Sequence, residues 1–217
     1  MTGASKETLH SWLQTALDLE LATIPPYLVA LLSIRLPANR EAADLIRSVM
    51  VEEMLHVALV ANLMIATGAK PRFGGNIGPY PLDLTFEGKA FADRQFPLEL
   101  RPFSEEAIDA FLKVELPQKP PNFLEVSKDL VVPALTIGEF YQKVIALLEE
   151  LSTQDGVGLF SGDPAWQVNE GYYWSSGGQI IRVTDLETAK QALRLVIEQG
   201  EGANGEALEA QLSAAHS

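Results

Sequence analysis

A chain of 217 residues with 47% hydrophobic side chains is long enough to bury one substantial core, and its apolar content is ordinary for a globular protein. It has no cysteine, which excludes disulfides, a thiolate nucleophile and Cys-based zinc or iron–sulfur sites; any metal must be held by Glu, Asp and His. A formal net charge of −13 argues against nucleic acid and anionic membrane as partners and modestly favours cations near the surface.

Met1–Lys6 lack the basic and apolar regions of a secretory signal. The apolar stretch Ile24–Ile34 is shorter than the roughly 20 residues that span a bilayer, so a cytoplasmic protein without a membrane partner is expected. The first helix is expected to begin at Ser5 as N-cap, with Glu7 in its first turn. Leu13, Leu17, Glu20 and Ile24 fall on one stripe at helical spacing. Pro25 and Pro26 should kink or interrupt this helix before it resumes at Tyr27.

A second helix is expected from Asn39 to about Thr67, capped by Asn39 and stopped by Gly68. Its stripe reads Leu45, Val49, Glu53, His56, Val60, Leu63. Glu53 and His56, at i and i+3, lie one above the other and can grip one metal ion together. Glu52 falls on a different face with Ser48, as a solvated or supporting group.

Residues 69–135 are rich in Pro and Gly and read as a long ordered excursion carrying one short helix, Ser104–Val114, with Ser104 as N-cap. A third helix fits Thr136–Ser152. An aromatic, Gly-rich segment follows, and Gln179–Val183 is expected as one strand of a hairpin. The fourth helix starts at Thr184 or Asp185 and runs to about Gly200. The pattern predicts an all-α bundle of four major helices with insertions at about 69–135 and 155–183, in one domain over 1–217.

Several carboxylates are candidate ligands. Glu20 lies on the Leu13–Leu17 stripe, where an unpartnered carboxylate would cost several kcal/mol or raise its pKa, so it is a ligand, a ligand-free Glu at the edge of the stripe, or paired with a buried Arg. Glu139 has Gln142, Lys143 and Ala146 at helical spacing, and periodicity leaves it open between ligand and surface residue. Glu201 is in register with Leu186, Leu193 and Ile197, whereas Glu198 aligns with the polar Glu187, Gln191 and Arg194. The chain has no Gly-x-Ser-x-Gly elbow, phosphate-binding loop or dinucleotide fingerprint. With His10, His56 and His216 its only histidines, histidine-rich zinc catalysis is not expected.

Leu19-Glu20-Leu21-Ala22-Thr23-Ile24-Pro25-Pro26-Tyr27, Glu52-Glu53-Met54-Leu55-His56, Gly138-Glu139-Phe140-Tyr141 and Glu198-Gln199-Gly200-Glu201-Gly202 resemble a ferritin-like domain family. That family includes the domain of iminophenylpyruvate dimer synthases of the violacein and chromopyrrolate type. The resemblance implies a ferritin-like four-helix bundle with two metal ions, iron foremost (Fe/Fe or Fe/Mn), held by one Glu from each of two helices and Glu-x-x-His from the others. Carried over, Glu20, Glu139, Glu53 with His56, and Glu201 supply the ligands. Asn204 stands where the second Glu-x-x-His would place its histidine, and His216 is the downstream candidate for that role.

The leading expectation is a non-haem di-iron (or Fe/Mn) oxidase or oxygenase acting with dioxygen on a small-molecule metabolite, in secondary metabolism, with homo-oligomerisation left open. Aromatic residues of the two insertions would wall its pocket. The alternatives are a non-catalytic accessory or assembly module and a ferroxidase or iron-handling protein; the long insertions speak against a cage-forming ferritin.

Overall fold

The computed structural model describes residues 4–74, 77–82, 85–86, 89–90, 98–114, 137–173 and 177–200. Within these, α1 is Lys6–Ser33, α2 Arg40–Ala66, α3 Glu105–Val114, α4 Ile137–Asp155 and α5 Leu186–Gly200. β1 (Thr85–Phe86) and β2 (Lys89–Ala90) make a two-residue antiparallel pair.

Helix starts follow capping chemistry. The Thr8 N–H donates to Ser5 Oγ at 3.1 Å, and the Ala107 N–H to Ser104 Oγ at 3.3 Å. At α5, Thr188 N–H donates to Asp185 Oδ1, while the N–H groups of Thr184 and Asp185 donate back to Thr188 Oγ1. Asn39 precedes α2 as expected, but its side chain makes no capping bond. Gly68, at φ +86°, ends α2 in the left-handed conformation that glycine adopts without a Cβ penalty.

The expected break at Pro25–Pro26 is absent: α1 runs unbroken through both prolines. Pro26 cannot supply the N–H that would reach the carbonyl of Ala22 four residues back. The Tyr80 hydroxyl supplies a donor in its place, 2.7 Å from Ala22 O.

α1 packs against α2 and α4, and α5 against α2 and α4, closing the expected four-helix bundle. Its core holds Leu9, Leu13, Leu17, Leu55, Leu59, Leu63, Phe140, Val144, Leu148, Leu193 and Val196. α3 covers one end through a second cluster of Tyr27, Ala30, Ile46, Ile108 and Phe111. Contrary to the reading of single apolar runs, α1 and α2 each contain an 18-residue window apolar enough for a membrane span; 50% and 61% of those windows are buried in the protein.

Gln179–Val183 is not a strand. The segment is irregular, and side-chain amides take the place of a ladder partner. Gln167 donates to Val183 O at 2.6 Å and accepts from Val183 N–H at 2.8 Å. Asn62 donates to Val168 O and Ile181 O and accepts from Val168 N–H. On the other side of the bundle, Gln14 brackets the backbone of Arg72 in the same way. These bonds satisfy backbone groups of irregular segments that would otherwise be buried without partners.

Candidate metal centre

The stripe on α1 passes through Ala16, Glu20, Thr23 and Tyr27, all buried, while Ile24 is only half-buried. On α2 the i, i+3 pair turns inward as the spacing requires. Glu20, Glu53 and His56 are 4%, 4% and 2% exposed. Each offers one ligand atom, and these atoms lie within 4.8 Å of one another.

The hydrogen bonds around the cluster sort the ligand atoms. Tyr141 of α4 donates its hydroxyl to Glu20 Oε1. Thr23 donates to Glu53 Oε2 at 2.5 Å. One oxygen of each carboxylate is thereby engaged on the periphery. Glu20 Oε2 lies 3.2 Å and Glu53 Oε1 3.7 Å from His56 Nδ1. His56 Nε2, on the far side of the ring, lies 3.0 Å from Gln199 Oε1.

Two carboxylates buried this close repel one another, and desolvation adds to the cost unless a cation shares the site. A donor set of two carboxylate oxygens and one imidazole nitrogen, with no sulfur, suits iron, manganese or zinc. The residues present therefore fit a metal ion. The group looks into a cavity of about 20 Å³ lined by Leu19, Thr23, Val114, Ile137, Val196 and Gly200, room for roughly one water-sized occupant.

The polar surroundings carry the imprint of burial. The Tyr141 phenol is held well above its ordinary 10.0, first by burial and then by the negative charges of Glu20 and Glu53, so it remains a donor. Burial also raises the Glu52 carboxyl, which the nearby His56 partly offsets.

Of the residues singled out in the sequence, Glu20, Glu53 and His56 come together. The partners of Glu20 are Tyr141 and His56 rather than an Arg. Glu139 is half-buried on α4 and outside this group of three; the neighbouring positions on its face, Gln142, Lys143 and Ala146, are exposed. Glu201 and His216 lie outside the described residues. The aromatics expected to wall the pocket stand elsewhere where they are described: Trp166 and Tyr172 are 78% and 79% exposed, and the cavity walls are mostly aliphatic.

Thr23, Tyr141 and Gln199 stand in the quoted motifs but carry no role in the sequence reading. Each continues a buried stripe: Thr23 after Ala16 and Glu20, Tyr141 before Val144 and Leu148, Gln199 after Ala192 and Val196. A polar group on such a stripe needs a buried partner, and that was the available signal.

A family model described as Ferritin-like matches residues 13–217. A solved structure described as a ferritin like protein from Caulobacter vibrioides is similar, with 26% identity and a TM-score of 0.63. The likeness covers 90% of this chain and 67% of that one. No curated protein matches. With a four-helix bundle and a buried Glu–Glu–His group in place, the chain belongs to the ferritin-like family.

Proposed function

We propose that the protein is an iron-dependent oxidase or oxygenase whose centre is built on Glu20, Glu53 and His56. The observation that carries this reading is the convergence of Glu20 Oε2, Glu53 Oε1 and His56 Nδ1 in the bundle core. A second ion, iron or manganese, would draw on Glu139 and Glu201, with His216 as a further donor, as the resemblance implies. Bound there, iron supplies electrons to dioxygen.

The chain's own residues do the rest. Tyr141 and Thr23 fix the rotamers of the two carboxylates by donating to their outer oxygens. Leu19, Val114, Ile137 and Val196 keep bulk water from the cavity. A small organic metabolite as substrate is what the sequence resemblance to the iminophenylpyruvate dimer synthase domain implies. A cytoplasmic location goes with this reading.

The cavity size favours a second reading. At about 20 Å³ among the described residues it has room for roughly one water-sized occupant, far below the roughly 300–1,000 Å³ of pockets for organic ligands. Oxidation of iron itself, with no organic substrate, needs no more room.

Anaerobic loading with Fe(II), metal analysis and then exposure to oxygen test both. The wild-type chain should retain stoichiometric iron and consume oxygen, and Glu53→Ala and His56→Ala should lose both properties. Two irons per chain support the second ion position; one limits the centre to the Glu20–Glu53–His56 group. Oxygen uptake without turnover of any organic compound assigns iron oxidation. Sub-stoichiometric metal that neither substitution changes sinks the metal-dependent enzyme.

A further inference from the structure

Gln199, at the penultimate position of α5, joins the metal cluster to the segment that crosses over it. Its Nε2 donates to the Gly177 carbonyl at 2.8 Å, and its Oε1 lies 3.0 Å from His56 Nε2. A carboxamide has one accepting oxygen and one donating nitrogen. With the nitrogen engaged by Gly177, the oxygen accepts from His56, and His56 Nε2 carries the hydrogen. Nδ1 is then the nitrogen turned toward Glu20 and Glu53.

The Gly177 carbonyl is itself placed by close packing. A Cβ on Gly177 would stand 2.9 Å from both Val51 O and Val51 Cγ1, inside contact distance. The segment therefore rests directly on α2, at the turn that precedes Glu53 and His56. Farther along, Asn62 and Gln167 pin the same segment at Ile181 and Val183.

We propose that Gln199 is a positioning residue that holds His56 with Nε2 protonated and Nδ1 presented to the metal, and that segment 177–183 sets metal affinity by holding Gln199. The inference rests on the metal reading above. Partners of a metal-bound imidazole's second nitrogen alter affinity by about 10–100-fold when removed, so the effect is measurable without turnover.

Co(II) is a suitable probe, titrated against a chelator into the full chain. Gln199→Leu removes both bonds and should weaken Co(II) binding about 10–100-fold. Gln199→Glu keeps an acceptor for His56 and should lose less. Gly177→Ala alters neither His56 nor Gln199, yet should weaken binding in the same direction by lifting the segment off Val51. In ¹⁵N-labelled metal-free protein, a slowly exchanging hydrogen on His56 Nε2 is expected, and it should exchange faster in Gln199→Leu. Wild-type affinity in both Gln199→Leu and Gly177→Ala, or a His56 hydrogen found on Nδ1 and not on Nε2, overturns the inference while the metal reading stands. A wild-type chain that binds no Co(II) overturns the metal reading and the affinity claim with it; the exchange measurement then still reports whether Gln199 holds the ring.

Discussion

Tyr141 on α4 donates its hydroxyl to Glu20 on α1, tying together two residues 121 positions apart in the sequence and turning Glu20 Oε2 toward His56. Both groups are buried, and the phenol stays protonated because burial and the two carboxylates oppose its ionisation. Tyr141→Phe keeps the ring and removes the donor, leaving Glu20 Oε1 short of a partner. Removing a hydrogen bond to a charged group costs about 1.5–3 kcal/mol, so urea denaturation should show a loss of that size. A Tyr141→Phe variant as stable as the wild type would mean that Glu20 does not depend on this bond.

The same pair shows where sequence reading stops. Glu53 and His56 were legible because i, i+3 spacing on a helix fixes two side chains relative to each other. Glu20 was legible because a carboxylate among leucines must be explained. Glu139 and Tyr141 are two residues apart, about 200° around a helix, so they cannot both face the same partner. Periodicity leaves Glu139 open and the resemblance points to it, whereas Tyr141 reads as one more apolar position beside Phe140. Gln199 was equally hidden, because its partners lie 143 and 22 residues away and no local pattern encodes them. The four bundle helices could be read from caps and stripes. The path of the Gln179–Val183 segment could not, since it depends on amides of distant residues rather than on its own alternation.

The unbroken course of α1 gives a second test. If Tyr80 stands in for the N–H that Pro26 lacks, the two are coupled through Ala22 O. Tyr80→Phe alone should cost about 0.5–1.5 kcal/mol. Pro26→Ala restores an N–H in reach of Ala22 O, so the cost of Tyr80→Phe should shrink in that background. A double-mutant cycle of urea midpoints measures the difference. Equal costs in both backgrounds would refute the substitution of one donor for the other.

Tyr80 also makes stability sensitive to alkali. Burial pushes its phenol from the ordinary 10.0 up to about 12. Between these values the folded chain keeps a proton that the unfolded chain has released, so stability falls as pH rises through that window. Below the unfolded value the contribution is fully present. Wild type should therefore lose more stability than Tyr80→Phe between about pH 9 and about pH 11.5. Tyr141, shifted in the same direction, contributes to both curves and cancels in the comparison. Parallel curves for the two proteins would remove Tyr80 as the cause.

Asn62 is fully buried on α2, where its one amide serves three backbone groups: Val168 O at 2.8 Å, Ile181 O at 3.0 Å and Val168 N–H at 2.7 Å. Asn62→Leu keeps the branching at Cγ, adds bulk and orphans all three. Each buried backbone group left unsatisfied costs about 1–3 kcal/mol, so a total loss of about 3 kcal/mol or more is expected from urea denaturation. Asn62→Asp keeps the acceptor for Val168 N–H but loses both donors and places a charge in the core. Hydrogen exchange separates the two variants: the Val168 amide should exchange faster in Asn62→Leu and keep more of its protection, relative to global stability, in Asn62→Asp. Because Asn62 anchors the segment that reaches Gln199, Asn62→Leu should also weaken metal binding. Unchanged exchange at Val168 in Asn62→Leu would show that the segment is held without this side chain.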